Sequence, residues 1–590
     1  LKYISSNFKP EKFKNHPLFE SSMKELIRKH VLKNAFDFNG SINDKVILGA
    51  VLKDEAGLKT KVPEVLKEIQ TIAKEVVKLS KEAIKKELEK TAPELLQEKK
   101  EEKRVGLKEL EKVDPKKGVI MRFAPSPSGP MHIGHAFTGG LTCLYVKKYG
   151  GKFILRIEDT NSDNIDPVAY DMLPKDAEWI FGNVTEVWIQ SERMNIYYDY
   201  AEKFINLGAC YVCTCSQEEF KKHSEKMQDC PCRKLKTEEN LKRWKNMFDK
   251  SKCKEGDAVL RFKSSMQDKN PAMRDFPLVR INDSEHPRQK LKYRVWPLMN
   301  LCVTVDDIEA GMTHIIRAKD HADNAKRQEM MYKALGLGDK FPETYFLGRY
   351  NFEGLEISCS KTRAKINEGI YTGWDDIRVP FLAALKRRGY QPGAFLKYTE
   401  LVGISPVDKT VPQEEFWKSI NSFNREIIEP EANRYFFVAN PVKVKIEEAP
   451  EKEAHPDVHP AFPEKGKRKI QAKGEVYLTQ NDLPRLEEGK IHRLMDYCNF
   501  EVKKGKYLFV EGEFEDYKNA KNKGMIVHWV PVQENIKVEV LMDDASVLSG
   551  VGEVNMSKLK VGDLVQLERN FYARVDDKSK DKVKFWYLHK

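Results

Sequence analysis

Two histidines three residues apart, His132 and His135, close the run Arg122-Phe123-Ala124-Pro125-Ser126-Pro127-Ser128-Gly129-Pro130-Met131-His132-Ile133-Gly134-His135. The apolar residues Val119 to Met121 before it suit a buried parallel strand. Gly129-Pro130 turns the chain, and Leu141, Leu144, Tyr145 and Lys148 then recur at helical spacing. A strand, a tight loop and a helix start in that order aim a helix N-terminus at the loop, with free backbone N–H groups and a partial positive charge that favour phosphate. The imidazoles add donors, and Gly134, lacking a side chain, lets a flat base approach the backbone. The run therefore reads as a nucleotide cradle. An isolated His-x-x-His more often caps a helix or packs on a surface, but the whole string is far more specific.

The string resembles the first signature of class I aminoacyl-tRNA synthetases, with His132 to His135 as the His-Ile-Gly-His element, in the form used by the glutamyl and glutaminyl enzymes. The likeness continues in order along the chain. Phe153-Ile154-Leu155-Arg156-Ile157-Glu158-Asp159-Thr160 is similar to the next strand of that subclass. Trp296-Pro297-Leu298-Met299-Asn300 and Val305-Asp306-Asp307 resemble its second half, and Ile357-Ser358-Cys359-Ser360-Lys361 stands where the family carries its Lys-Met-Ser-Lys-Ser loop. The pattern is closest to archaeal-type glutamyl-tRNA synthetases and covers most of the chain. It implies a two-step ligase. The carboxylate of L-glutamate attacks the α-phosphorus of ATP and releases pyrophosphate, and a terminal ribose hydroxyl of tRNA(Glu) then takes the acyl group, with tRNA(Gln) left open as a second acceptor.

Attack at phosphorus adds charge to equatorial oxygens, so the protein must supply positioning and fixed positive charge, with Mg²⁺ on the phosphates. The resemblance gives this role to His132, His135 and Lys361, and sets ATP against Pro125, Gly134, Ser360 and Lys361. Ser358 to Arg363 is polar and small and reads as a mobile loop able to close on the phosphates. Ser358 and Cys359 replace the family's first lysine and its methionine, which leaves one lysine for pyrophosphate.

For the amino acid, the resemblance implies Arg122, Ala124, Ser126, Glu158, Met299 and Arg317. Glu158, at the end of the Ile154 to Ile157 strand, suits the ammonium, while Arg122 and Arg317 at parallel strand ends suit the carboxylates. Arg317 bears on specificity, because a guanidinium is always charged and only donates: it pairs bidentately with a carboxylate, and a neutral amide leaves it short of a partner. Glutamate is thereby favoured over glutamine. Met299 and Val303 stand where many relatives carry Tyr and Asn or His.

Cys213-Thr214-Cys215 and Cys230-Pro231-Cys232 form two Cys-x-Cys pairs, and tetrahedral Zn²⁺ takes four thiolates from two such knuckles. Free, partly buried cysteines are the plain alternative, and a disulfide is disfavoured in a cytosolic chain. Cys210 and Cys253 are nearby spares. Lys465-Gly466-Lys467-Arg468-Lys469, after His459-Pro460-Ala461-Phe462-Pro463, reads equally as a phosphate-binding loop beside aromatics and as a solvated turn.

The elements that must position these residues fall in order along 590 residues, too long for a single core. Residues 1–97 read as a helical N-terminal domain, with Val65, Leu66, Ile69, Ile72, Val76 and Val77 on one face and Asn39-Gly40 as a break. Charge dominates 98–117, a solvated helix or linker. A Rossmann-like catalytic domain is expected in two halves, 118–205 and 276–350, around an acceptor-end insertion at 206–275 that holds the cysteines. The second signature and a helical connector follow at 351–430. Strand-like runs punctuated by Gly and Pro fill 431–590, an antiparallel β region that in the family forms two anticodon-binding β-barrels. The fold class is thus multidomain α/β plus β.

A net charge of +12 agrees with an anionic partner such as tRNA but is also that of many solvated surfaces. No apolar stretch is long enough to span a membrane, and Leu1-Lys2-Tyr3 opens no signal-peptide core, so a cytoplasmic protein is expected; the sequence leaves the oligomeric state open, with a monomer as the default. The nearest rival is a glutaminyl-tRNA synthetase. A small-molecule nucleotidyltransferase would not need the β-rich third, and a non-catalytic paralogue would be favoured by loss of both histidines or of Lys361, yet all three are present.

Overall fold

The computed structural model describes residues 17–37, 40, 42–96 and 106–590, and the chain divides into two compact units, Leu1–Arg104 and Val105–Lys590. The first consists of α1 (Pro17–Asp37), α2 (Asp44–Asp54), α3 (Val62–Val76), α4 (Lys81–Thr91) and the short α5 (Pro93–Leu96). Val65, Ile69, Ile72 and Val76 form the buried stripe of α3 against Ile27 and Val31 of α1 and Leu88 of α4. Arg28 of α1 ties α3 and α4 through Glu75 at 3.0 Å and Glu87 at 2.6 Å. Asn43 and Ser80 cap α2 and α4 with side-chain oxygens. Gly40, at φ +89, makes the break between α1 and α2; Asn39 and residues 1–16 lie outside the described residues.

In the second unit the described part of the charged stretch, 106–117, is a strap rather than a helix or a free linker. Its Leu107, Leu110 and Val113 pack on the core, and the N–H groups of Leu110 and Glu111 donate to the hydroxyls of Tyr149 and Tyr345. It leads into β1 (Val119–Phe123), α6 (Ile133–Tyr149), β2 (Gly151–Ile157), α7 (Ala169–Phe181), β3 (Glu186–Ile189) and α8 (Met194–Asn206). The three strands pair parallel in the order β1-β2-β3. Gly151, at φ +113, lets the return from α6 pass against β1, since a Cβ there would lie 2.0 Å from the Val119 carbonyl oxygen.

The insertion is a four-stranded antiparallel sheet, β4 (Cys210–Cys213), β5 (Val259–Phe262), β6 (Pro277–Ile281) and β7 (Val295–Pro297), with α9 (Gln217–Glu225) and α10 (Thr237–Met247) between its first two strands. It therefore runs past residue 275. β6 pairs with β5 and β7 with β6, so both complete the inserted sheet instead of opening the second catalytic half. That half is α11 (Met299–Ala310), β8 (His314–Ala318), α12 (Ala322–Ala334) and β9 (Glu343–Leu347), with β8 and β9 parallel. Its join to the first half is local: Thr313 N–H donates to the Ile120 carbonyl at 3.0 Å, and Ile120 N–H to Thr313 Oγ1 at 2.9 Å.

The chain continues through α13 (Cys359–Asn367), α14 (Leu382–Arg388), α15 (Pro392–Val402) and α16 (Gln413–Ile428). Beyond residue 430 it builds two seven-stranded sheets. Strands 433–435 and 437–439 begin one sheet, 441–531 supply the other, and 535–589 return to the first. These sheets are mixed rather than antiparallel throughout. Strand 433–435 runs parallel to 565–567 and 537–541 to 582–586, because segments distant in sequence meet after the chain has crossed out and back. Among the described residues no helix is long and apolar enough to cross a membrane.

The Ile120–Thr313 join yields a test. Thr313→Val keeps the shape but strands the Ile120 N–H without its acceptor, and is expected to cost about 1–3 kcal/mol, read as a lower urea midpoint of the unit it belongs to.

Candidate active site

A charged residue inside an apolar strand is expensive unless it is paired, and β1, β2 and α11 each carry one or more. Arg122 of β1 is 5% exposed and grips Asp307 of α11 with two nitrogens, Nε–Oδ1 at 2.9 Å and Nη2–Oδ2 at 3.3 Å. Arg156 of β2, 1% exposed, donates to the same Asp307 at 2.6 Å and to Glu158 at 3.0 Å. Asp306 accepts from Arg193 Nε at 2.8 Å, Gln190 at 3.0 Å and the Tyr197 hydroxyl. Burial alone would push Asp307 up, yet Arg122 and Arg156 hold it below the ordinary carboxylate range; burial wins at Asp306, which is raised despite Arg156 and Arg193.

Arg317, at the end of β8, stands apart from this pairing. Its Nη1 donates to Gln328 Oε1 at 2.8 Å, its Nε is buried without a partner, and among the described residues no carboxylate reaches it. Burial, helped by the charge of Arg122, lowers it to about 10. In this cluster four guanidiniums, Arg122, Arg156, Arg193 and Arg317, face three carboxylates, Glu158, Asp306 and Asp307. One positive charge is left over.

That charge lines a cavity of about 350 Å³ above the ends of β1 and β8, where the two halves of the sheet meet. Arg122, Ala124, His135, Glu158, Met299 and Arg317 all border it. The sequence reading missed Arg156, Asp306 and Asp307 as functional residues, although a charge within Phe153–Ile157 and two within Leu301–Ile308 were visible signals. It also missed His321, which borders the cavity, and Gln328, which holds Arg317.

The loop beside the cavity is sewn to the chain after β2. Pro125 O accepts from Glu158 N–H at 3.2 Å and Pro127 O from Asp166 N–H at 2.8 Å, while Ser126 is exposed. His132 is the N-cap of α6. Its Nδ1 accepts from Gly134 N–H at 3.1 Å, and His135 Nδ1 accepts from His132 N–H at 3.4 Å. Both rings are thereby held as Nε2–H donors, stacked with centroids 3.9 Å apart. Gly134 has no room for a side chain, since a Cβ would lie 2.9 Å from His132 Cε1. Burial pushes both imidazoles down, His132 well below its ordinary range and His135 to about 4. The histidines are therefore neutral donors without the fixed charge expected of them, and at the helix start the N–H groups of Ile133 and Gly134, expected to be free, are spent on Pro380 O and His132 Nδ1.

Lys361 and Ser360 sit in the exposed first turn of α13, so they belong to a helix instead of the mobile loop expected. Ser358 Oγ caps that helix at 3.5 Å, which a polar, small-residue stretch conceals in sequence. Cys359, 9% exposed, packs against Gly129 of the first signature, and Arg363 pairs with Asp166 at 2.9 Å and donates to Ser128 O, so the two signatures touch.

In the insertion the sulfurs of Cys213, Cys215, Cys230 and Cys232 lie within 4.8 Å of one another, with Cys213–Cys230 and Cys215–Cys232 at 3.9 Å. Tetrahedral zinc with Zn–S of about 2.3 Å would set sulfurs about 3.8 Å apart, so the donor set fits. Thr214 N–H and Arg243 Nη1 each reach Cys232 Sγ at 3.5 Å, donors suited to a thiolate. The basic loop at 465–469 is mostly paired internally. Arg468 is buried on Glu553 at 2.7 Å, Lys467 meets Asp457 and Lys469 meets Glu453. A different cation, Arg493, is 4% exposed and borders a cavity of about 230 Å³ with Phe514, bonding Asn499 at 2.8 Å.

Depressed histidines bear on pH. Their unfolded forms bind a proton below about 6.5 while the folded forms do not, so the stability that His135 contributes is complete above that value and is lost as pH falls toward about 4. Nitrogen-15 NMR is expected to show His132 and His135 as unchanged Nε2–H tautomers between about pH 8 and 6, with stability declining below.

Comparison with known proteins agrees with this geometry. Residues 118–430 match the catalytic domain of class I (E and Q) tRNA synthetases, and 432–518 and 526–576 match two anti-codon binding domains of the same family. A glutamate–tRNA ligase of Methanothermobacter marburgensis is 41% identical over 96% of this chain and 100% of its own length, and one of Methanocaldococcus jannaschii is 40% identical over 96% and 100%. A solved glutamate tRNA ligase from Elizabethkingia meningosepticum, 20% identical, covers 54% of this chain and 71% of its own at a TM-score of 0.39, a likeness too partial to bear on the assignment. A family model that spans more than half the chain, and relatives matched from end to end, lead to one conclusion: this chain belongs to the class I (E and Q) tRNA synthetases.

Proposed function

We infer that the chain activates L-glutamate with ATP to glutamyl-adenylate and transfers the acyl group to the 3′ end of tRNA(Glu). The observation that carries this is Arg317, a part-buried guanidinium without a carboxylate, across one cavity from Glu158, whose carboxylate Arg156 fixes. Glutamate brings two carboxylates and one ammonium, a net charge of −1 that cancels the cluster's excess; glutamine brings none. Glu158 takes the ammonium, Arg317 the side-chain carboxylate. Arg122, with Nε and Nη2 committed to Asp307, keeps Nη1 for the substrate.

ATP lies along the first signature, its phosphates beside the positive end of α6 and the Nε2–H groups of His132 and His135, and Mg²⁺ would supply further positive charge to the phosphates. An oxygen of the α-carboxylate attacks the α-phosphorus as the bond to pyrophosphate breaks. Lys361 balances charge on the leaving group, and no protein side chain has to exchange a proton in this step. Pro125, Ser126 and Ser360 contribute by holding the loop and the α13 turn in place. The two seven-stranded sheets act as anticodon-binding barrels, and the Arg493–Phe514 cavity offers a cation and an exposed ring to an unpaired base. Zn²⁺ on the four cysteines, closed to substrate, would keep the shape of the insertion at the acceptor end.

Charging purified tRNA(Glu) and tRNA(Gln) with each amino acid tests the reading and shows directly whether tRNA(Gln) is a second acceptor. Glutamate is the expected substrate, and preference for glutamine would overturn the assignment. Arg317→Gln should lower kcat/KM for glutamate by about 100-fold or more, the loss of a buried charge pair, while the KM for ATP stays nearly constant. Cys213→Ser or Cys232→Ser should release zinc from the purified protein, measured by elemental analysis, and raise proteolysis within 210–262. Metal-free wild-type protein of full stability would remove the site.

A further inference from the structure

The carboxylate of Asp176 takes no part in the steps above, yet it is 7% exposed on α7 beneath the first signature. Burial pushes it up to about 7; Lys386 of α14 is the one charge that eases it, and no cation among the described residues pairs with it. A buried carboxyl kept without a counter-ion is unfavourable, so the bond that it makes has to matter. Its Oδ2 accepts the backbone N–H of Met131 at 2.9 Å.

Met131 is fully buried and immediately precedes His132. Its carbonyl accepts Leu382 N–H at 2.9 Å, and Ile133 N–H, on the far side of His132, donates to Pro380 O at 3.2 Å. The backbone on both sides of the histidine is thus pinned, from α7 below and from the start of α14 beside it. The His132 ring, bonded to Gly134 N–H and stacked on His135, has no independent orientation. The N–H that Asp176 holds belongs to the Pro130–Met131 peptide, which leads directly into the His132 backbone.

We propose that Asp176 is a positioning residue for the His132–His135 pair: its carboxyl oxygen fixes the Met131 peptide and, through it, the direction in which both Nε2–H groups meet the nucleotide. The proposal rests on the ATP-dependent activation inferred for this site.

Asp176→Ala removes the acceptor and strands a buried N–H, whereas Asp176→Asn keeps an oxygen in the same place and removes only the acidity. Displacing a catalytic group by about 1 Å costs about 100-fold. In glutamate-dependent ATP–pyrophosphate exchange with tRNA present, Asp176→Ala is expected to lose about 10- to 100-fold in kcat, with the KM for glutamate within about twofold because Arg317 and Glu158 are untouched. Asp176→Asn should remain within about threefold of wild type in kcat, since its amide oxygen accepts the same bond. If alanine prevents folding, Asp176→Leu fills the space without an acceptor and should show the same loss. Nitrogen-15 shifts of His132 and His135 should move in the Ala or Leu variant and stay in the Asn variant, a change that general destabilisation would not produce. An Asn variant as slow as Ala, a loss confined to KM, or unmoved histidine shifts would overturn the proposal. Wild-type protein without glutamate-dependent exchange would overturn the ligase reading instead, and the histidine shifts would still decide the role of Asp176.

Discussion

Two aspartates on one helix hold the catalytic unit in register. Asp307 receives Arg122 from β1 and Arg156 from β2 at once, and Asp306 takes Arg193, so α11 is tied to two neighbouring strands by charges that none of the partners could carry alone in the interior. Removing Asp307 would leave Arg122 as an uncompensated buried cation, whereas Asp307 keeps one guanidinium if either of its arginines is lost. The same network sets Glu158 at the mouth of the cavity through Arg156 and leaves Arg317 as the odd charge.

The nucleotide side of the site is built by different means. There the backbone does the positioning: Pro125 and Pro127 lend carbonyls to the chain after β2, and residues 380–382 pair with the turn before α6. Two stacked neutral imidazoles need little solvation, so they can be held in a dry loop beside a helix end without a counter-ion. One half of the cleft is thus organised by ion pairs and the other by peptide groups. α14 joins this half to the β-rich region, since Arg387 pairs with Asp576 and Arg388 donates to the carbonyls of Tyr587 and Leu588.

Much of this was legible in the sequence because it depends on local pattern. The strand, turn and helix around His132 follow from apolar runs and Gly-Pro punctuation, and α3 from its apolar stripe. What stayed hidden depends on which distant segments meet. Arg156 and Asp307 are 151 residues apart, and nothing in either neighbourhood announces the other. β6 and β7 read as strands, but only pairing with β5 assigns them to the insertion. The turn at Ser358–Lys361 has loop-like composition, and a serine cap makes it helical. The basic run at 465–469 reads in sequence as a phosphate-binding loop or a solvated turn, and Glu553, which buries Arg468, lies 85 residues further on.

A part-buried cation without a carboxylate is never indifferent to the medium around it. A small anion that reaches Arg317 competes with an acidic substrate for the same guanidinium. Apparent affinity for that substrate is therefore a property of the buffer as much as of the protein, and rank orders of analogues measured in different salts are not comparable.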